Sequence, residues 1–234
     1  MDNIKIIFFD IDGTLIPLGE KRVREKTIEA LKLLKDSGKK ICIATGRSPI
    51  QVPIIDQIEF DCHLTFNGSL CYNEEGDIFS NSLSKNDLLT FIKNARNMKK
   101  PLGLASRDDY VANFSNDDLA QYFTFGSTSP NMVDEIEGFA LNNDVYQIVM
   151  PIRKEEYSSA LKGTKSLKIT AWWDRAVDVI PHNGGKGQAV DKILEYYGFD
   201  KSEALAFGDG DNDIEMFEKV RGIAMANASE NLKN

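Results

Sequence analysis

An alternation of apolar runs and amphipathic stripes near the start of the chain constrains the fold more than any other feature of the sequence. Residues 4–9 form a β-branched and aromatic run that is typical of a buried strand, and a helical stripe of apolar residues then ends at Gly38. Residues 39–44 and 63–66 indicate two further strands. A helix is predicted between them over 49–58, because a capping serine and a first-turn proline precede spaced isoleucines. Such repeats predict an α/β fold with a doubly wound parallel sheet.

The pattern changes after residue 67. A hairpin over 70–83 is followed by strand and helix signals that suggest a separate antiparallel sheet. The strand and helix alternation resumes with a predicted helix over 186–197. We therefore predict an α/β core made of residues 1–82 and 182–234, with an inserted α+β domain over 83–181.

The charge balance and the hydropathy disfavour two classes of partner. The 234 residues include 28 lysines and arginines against 36 acidic residues, a net charge of −8, whereas nucleic acids and anionic membranes require a basic surface. No apolar stretch is long enough to span a bilayer, and the N-terminal run lacks the cationic flank of a signal peptide. We expect a cytoplasmic protein without nucleic-acid or membrane partners. The sequence indicates no oligomeric state.

The cysteines and histidines argue against a soft-metal site. Cys42, Cys62 and Cys71 form an odd set without a C-x-x-C motif, and Cys42 lies within a predicted strand, so buried thiols are favoured over a disulfide. Only two histidines accompany them, which disfavours zinc. Any metal is expected to be held by oxygen.

Polar residues lie at the carboxyl ends of three predicted strands and at the start of one helix. In chain order they are Asp10 and Asp12, then Thr45, Gly46 and Arg47, then Lys186, and finally Asp209, Asn212 and Asp213. In an open parallel sheet, ligands bind in the crevice beyond the carboxyl ends of the strands. These side chains are therefore expected to meet in one crevice.

Carboxylates gathered in this way need a cation. Two of them about 4 Å apart repel by roughly 4 kcal/mol at an effective dielectric constant near 20. A site with few protein oxygens and an open face suits Mg²⁺, and the neighbouring lysine, arginine and threonine suit a phosphoryl group. Phosphoryl transfer is therefore the predicted class of reaction. The spacing of the later aspartates does not complete an EF-hand, because Ile214 stands where that loop requires glycine.

Four motifs span nearly the whole chain, in the order Asp10-Ile-Asp-Gly-Thr-Leu, Thr45-Gly-Arg, Lys186-Gly and Gly208-Asp-Gly-Asp-Asn-Asp. Together they resemble the haloacid dehalogenase-like (HAD) superfamily, and within it the Cof-like metabolite phosphatases. The resemblance implies that the insertion over 83–181 is the large cap of this family. Family members usually continue through a further strand and helix after the segment matching 226–229, so it also implies an incomplete sheet edge or a truncated sequence.

The resemblance also implies the reaction and its residues. Asp10 is expected to attack phosphorus and form an aspartyl phosphate, and Asp12 to protonate the leaving oxygen and then activate water. Mg²⁺ is expected at the Asp10 side chain, the Asp12 backbone carbonyl and Asp209, with Asp213 as a ligand or as support. Phosphate or substrate binding is implied for Thr45, Gly46, Arg47, Asn67, Lys186 and Asn212.

Three functions remain open from the sequence. The first is a Mg²⁺-dependent phosphatase of small phosphorylated metabolites, such as sugar phosphates or phosphorylated cofactors. The second is a phosphomutase that uses the same aspartyl phosphate but returns the phosphoryl group to a sugar. The third is a non-enzymatic phospho-acceptor module, although such modules are shorter and lack a cap.

Overall fold

The computed structural model describes residues 3–55, 58–125, 128–171 and 173–233. The described residues form two compact units. The first unit contains residues up to 46, residues 53–80 and residues from 185 onwards, and the second contains residues 47–52 and 81–184.

Helices and strands occur in both units. In chain order, the strands are β1 (Ile6–Phe9), β2 (Lys40–Ala44), β3 (Cys62–Thr65), β4 (Leu70–Asn73), β5 (Gly76–Ser80), β6 (Gly103–Ser106), β7 (Tyr110–Ala112), β8 (Asn131–Met132), β9 (Val145–Met150), β10 (Leu167–Thr170), β11 (Val177–Pro181), β12 (Ala204–Gly208) and β13 (Arg221–Ala224). The α-helices are α1 (Glu25–Asp36), α2 (Lys85–Asn97), α3 (Asp117–Phe125), α4 (Ile136–Asn142), α5 (Tyr157–Ala160), α6 (Lys186–Tyr197), α7 (Ile214–Phe217) and α8 (Glu230–Lys233).

The first unit is built on a seven-stranded sheet with the order β13-β12-β1-β2-β3-β4-β5. The strands from β13 to β3 pair in parallel, which confirms the predicted α/β fold with a parallel-rich sheet. The hairpin of β4 and β5 joins the same sheet in antiparallel fashion, so the sheet is mixed at this edge. A tight hairpin can only return antiparallel, whereas parallel pairing needs a longer crossover.

Strand β1 is apolar at every position because both of its faces are covered. Ile6 and Phe8 pack in a cluster with residues of α6 and α7, whereas Ile7 and Phe9 pack in a second cluster with Leu31 of α1. Successive side chains of a strand point to opposite faces, so two covering layers require an uninterrupted apolar run. Strand β1 is therefore an interior strand of the sheet, between β12 and β2, and is covered on both faces.

The predicted helix over 49–58 is not present in the described residues. A single 3-10 turn covers Pro49–Gln51, and Val52 is already extended, with φ −66° and ψ 121°. Val52 precedes Pro53, and the proline ring disfavours helical backbone at the residue before it. Positions 56 and 57, which the prediction also included, lie outside the described residues.

The second unit has its own six-stranded sheet with the order β10-β11-β9-β6-β7-β8. Its pairings are antiparallel except for β7 with β8. Helices α2, α4 and α5 contribute apolar residues such as Phe91, Ile136 and Ala160 to one core with this sheet. Helix α2 begins after Ser84, whose side chain accepts a hydrogen bond from the Asp87 amide at 3.2 Å. This unit is therefore an α+β arrangement with a separate core.

The structure corrects the prediction of three buried thiols. Cys42 and Cys62 form a disulfide between β2 and β3, and only Cys71 is a free, buried thiol. The parallel register places Cys42 opposite Cys62, with their Cα atoms 4.8 Å apart. Twenty residues separate the two in sequence, so their pairing depends on a strand register that the odd number of cysteines does not reveal.

Within the described part of the chain, no helix is both long enough and apolar enough to pass through a membrane. The longest α-helix there, α2, has 13 residues.

A tight turn between β3 and β4 generates a stability prediction. Gly68 has φ +93°, and a Cβ atom at this position would lie 2.4 Å from the carbonyl oxygen of Gly185. We expect Gly68→Ala to lower the free energy of unfolding by about 2 kcal/mol or more, because it adds both backbone strain and a clash. Gly19→Ala is the matched control, since Gly19 has φ +82° but open space around it. Urea denaturation measures both variants, and equal losses would contradict the role of the close approach.

Candidate active site

The carboxyl ends of neighbouring strands place the first acidic residues next to each other. Strands β1 and β12 pair in parallel, with Phe9 opposite Phe207, and the Asp10 amide donates to the Phe207 carbonyl at 3.0 Å. Asp10 therefore follows the end of β1 at the same edge of the sheet where Asp209 follows the end of β12. Parallel strands end at the same edge, which is why two segments about 200 positions apart can build one site.

A buried lysine connects this edge to α6. The Lys186 Nζ atom lies 2.6 Å from Asp10 Oδ1 and 2.6 Å from Asp213 Oδ1, and its side chain is completely inaccessible to solvent. Burial lowers the pKa of Lys186, but Asp10 and Asp213 outweigh this effect and hold it above its usual value. An ammonium group out of contact with water is tolerated only when it is paired in this way.

Asp213 is held by donors on both of its carboxylate oxygens. Oδ1 receives the Lys186 ammonium, and Oδ2 accepts hydrogen bonds from the amides of Asp209 and Gly210 at 3.0 and 3.1 Å. Gly208 makes room for this side chain, because a Cβ atom there would lie 2.5 Å from Asp213 Cγ. Asp213 therefore shapes the turn after β12 and orients the lysine.

Three of the four predicted metal residues come together. One carboxylate oxygen from each of Asp10, Asp209 and Asp213 lies within 4.8 Å of the others. Burial, together with the charges of Asp213 and Asp12, raises the pKa of Asp10 to about 8, although Lys186 acts to lower it. Burial is also the main cause that raises the pKa of Asp209 above its usual value. Lys186 alone thus leaves these carboxylates short of positive charge, and an all-oxygen donor set of this kind suits Mg²⁺.

Three of the predicted phosphate-binding residues, Thr45, Gly46 and Asn67, follow the ends of β2 and β3. The Asn67 amide donates to the Thr45 carbonyl at 3.0 Å, and the Asn212 side chain donates to Asn67 Oδ1 at 3.0 Å. A Cβ atom on Gly46 would lie 3.0 Å from Asn67 Oδ1, so this glycine packs directly against the asparagine. Asn212 thereby links this group to the turn that carries Asp213.

The two remaining predicted residues are placed differently. Asp12 is exposed, and its backbone forms a β-bridge with Ile16. Its carboxylate is not one of the three that lie within 4.8 Å of one another, although its charge contributes to the raised pKa of Asp10. Arg47 belongs to the second unit, where its guanidinium donates to the Gln51 carbonyl at 2.9 Å. The roles implied for both residues stay predictions.

Sequence reasoning missed two contacts of Asp209. The Thr14 hydroxyl donates to Asp209 Oδ1 at 3.1 Å, and the side-chain amide of Asn227 donates to Asp209 Oδ2 at 3.0 Å. Thr14 stands in the first motif, which is a signal that could have identified it. Asn227 lies in the segment 226–229 that matches the family, but the sequence indicated no role for it, because its contact with Asp209 depends on the fold.

Comparison with known proteins identifies the family. The sequence model of the haloacid dehalogenase-like hydrolases matches residues 7–234, so the chain belongs to this family. Within it the chain belongs with the phosphatases of the Cof-like branch, which confirms the resemblance seen in the motifs.

Individual relatives agree with this placement. The protein YkrA of Bacillus subtilis (strain 168) is 31% identical over 231 residues, which cover 98% of this chain and 89% of YkrA. The 5-amino-6-(5-phospho-D-ribitylamino)uracil phosphatase YitU of the same organism is 26% identical over 97% of this chain and 88% of its own length. The solved structure of the HAD subclass IIB sugar phosphatase BT4131 has a TM-score of 0.86 and 28% identity, covering 98% of this chain and 90% of BT4131.

The buried lysine gives a prediction about stability. Replacing Lys186 by methionine leaves Asp10 and Asp213 without their shared positive partner, so we expect the free energy of unfolding to fall by about 3 kcal/mol or more. Lys201→Met is the control, because Lys201 is 58% exposed and its ion pair with Asp191 should contribute little. Urea denaturation of both variants in EDTA measures the difference. A similar effect of the two substitutions would show that the buried contacts are not important for stability.

Proposed function

We propose that this chain is a Mg²⁺-dependent phosphatase that hydrolyses small phosphorylated metabolites, such as sugar phosphates or phosphorylated cofactors, through an aspartyl phosphate. The observation that carries the proposal is the cluster of Asp10, Asp209 and Asp213 around the buried Lys186. An anionic cluster that also contains a fixed cation can hold a metal and a phosphoryl group side by side. The phosphatases among the relatives support the same class of reaction.

The nucleophile in this proposal is Asp10. One of its carboxylate oxygens bonds to phosphorus while the bond from phosphorus to the ester oxygen breaks. Asp12, two residues further on, donates a proton to the departing oxygen and afterwards removes a proton from the water that attacks the aspartyl phosphate. Asp12 is exposed, which suits a group that exchanges protons with substrate and water.

The metal in this proposal is held by the Asp10 side chain, the Asp12 backbone carbonyl and the Asp209 side chain. Asp213 supports the site, since both of its oxygens already accept hydrogen bonds from protein donors. When bound, Mg²⁺ supplies positive charge that offsets the carboxylates and the phosphoryl oxygens.

The remaining residues bind the substrate. Lys186, Thr45 and Gly46 contact phosphoryl oxygens, and Asn212 assists them. Asn67 and Arg47 face the rest of the substrate. The insertion over 83–181 acts as the cap that selects it, and a small phosphorylated molecule in the cytoplasm fits a capped site better than a protein surface does.

The first test concerns the nucleophile. We expect Asp10→Asn to lower kcat for an aryl phosphate by at least about 1,000-fold, because an amide cannot form the aspartyl phosphate. Asp36→Asn makes the same chemical change at an exposed site on α1 and should keep wild-type turnover. Phosphate release measures the reaction, and thermal unfolding shows whether each variant is folded. An Asp10→Asn variant with near wild-type turnover would exclude this nucleophile. Phosphoryl transfer to a sugar in place of phosphate release would identify a phosphomutase.

The second test concerns the metal. We expect EDTA to abolish phosphate release from wild-type protein and added Mg²⁺ to restore it, because Lys186 by itself does not neutralise the cluster. Ca²⁺ at the same concentration should restore little activity, since it favours longer bonds and more ligands than Mg²⁺. Turnover that is unaffected by exhaustive dialysis against EDTA would contradict the metal requirement.

A further inference from the structure

The carboxylate of Asp209 is held from two sides by side chains to which the proposed function assigns no role. On one side, the Thr14 hydroxyl donates to Oδ1 at 3.1 Å. On the other side, the Asn227 side-chain amide donates to Oδ2 at 3.0 Å. Each oxygen of one carboxylate therefore has its own donor, and the two donors come from segments more than 200 positions apart in the sequence. We name Thr14 and Asn227 the Asp209 clamp.

The first arm of the clamp depends on the glycine beside it. Gly13 has φ +87°, and a Cβ atom at this position would lie 1.9 Å from Asp209 Oδ2. Only a residue without a side chain lets the carboxylate approach the backbone here. The approach brings Asp209 within reach of the Thr14 hydroxyl.

The second arm ties two loops together. The same Asn227 nitrogen that contacts Asp209 also lies 3.1 Å from the Gly13 carbonyl oxygen. The segment that carries Asn227 is anchored nearby, because the Ser229 amide donates to the Asp209 carbonyl at 2.9 Å. Asn227 therefore sits at the junction of the first motif and the turn after β12.

A carboxylate in this position needs to be held. One carboxylate oxygen of Asp209 lies within 4.8 Å of an oxygen of Asp10 and of Asp213, and negative charges this close repel each other. Without fixed donors, the side chain would rotate away from its neighbours while the metal is absent. The clamp uses one acceptor position on each oxygen, and a carboxylate offers about four, so acceptor positions remain for a cation.

We propose that Thr14 and Asn227 are positioning residues that set the affinity of the site for its divalent cation by fixing the Asp209 carboxylate. The inference rests on the proposed function, because it takes Asp209 as a metal-binding residue. The proposed function assigns neither clamp residue a contact with the phosphoryl group. Removal of either arm should therefore weaken metal binding and leave the reaction at saturating metal largely unchanged.

The test uses matched substitutions. Asn227→Ala and Thr14→Val each remove one arm, and Thr14→Ser keeps the hydroxyl. Asn231→Ala is the control, because Asn231 is an exposed asparagine of the same segment whose amide donates at 2.9 Å to Asp211, which is outside the acidic cluster. Mn²⁺ is the probe, and the electron paramagnetic resonance signal of free Mn²⁺ gives the affinity without any substrate. Thermal unfolding in EDTA shows that each variant is folded.

We expect Asn227→Ala and Thr14→Val to weaken Mn²⁺ binding by about 10-fold, with Thr14→Ser and Asn231→Ala within about twofold of wild type. In phosphate-release assays, the Mg²⁺ concentration for half activation should rise for the two clamp variants, whereas kcat and KM at saturating Mg²⁺ should change by less than about threefold. If one of the two clamp variants does not fold, the Mn²⁺ affinity of the other one tests the inference.

Two results would overturn the inference. The first is Mn²⁺ affinity in both clamp variants equal to that of Asn231→Ala, and the second is wild-type protein that binds no Mn²⁺. The proposed function fails separately. A wild-type protein whose Mn²⁺ affinity depends on the clamp but which releases no phosphate from any substrate would retain the inference and exclude the phosphatase.

Discussion

One buried ammonium group holds the centre of the first unit together. Lys186 begins α6 and lies 2.6 Å from both Asp10, after β1, and Asp213, after β12. A lysine with no access to water is stable only while both partners remain in place, so the strand end, the turn and the helix are linked by a single interaction. The same interaction keeps a positive charge among the carboxylates, next to the cluster of Asp10, Asp209 and Asp213.

The acidic residues around that lysine differ in how many of their acceptor positions are occupied by protein donors. Both carboxylate oxygens of Asp213 accept hydrogen bonds from protein donors, and these bonds stabilise the turn after β12. Asp209 accepts one side-chain donor on each oxygen and keeps acceptor positions, so it is the residue better suited to a cation. Two aspartates of one short motif, four positions apart, therefore have different environments, and these environments follow from the backbone of the turn together with donors from elsewhere in the chain.

Local sequence patterns predicted the structure correctly where a single physical requirement dominated. The apolar run of β1 is continuous because the sheet is covered on both faces, and the glycine at position 198 ends α6 in a left-handed conformation with φ +68°. The prediction of a helix over 49–58 was wrong because Val52 precedes a proline, and this local restriction outweighed the spacing of the isoleucines. The disulfide was missed for a different reason, since the register of β2 against β3 decides which cysteines meet.

The sequence by itself determined the α/β alternation, the order of the four motifs and the identity of the acids and the lysine. Residue type and local spacing carry that information, because buried strands, caps and turns each require particular side chains. Only the tertiary structure decided that Asp12 stays outside the acidic cluster and that Asn227 reaches Asp209. Both placements depend on how parallel strands align at one edge of the sheet. The same Asn227 side chain also lies 3.1 Å from the Gly13 carbonyl oxygen, 214 positions away in sequence, and no local pattern indicates such a contact.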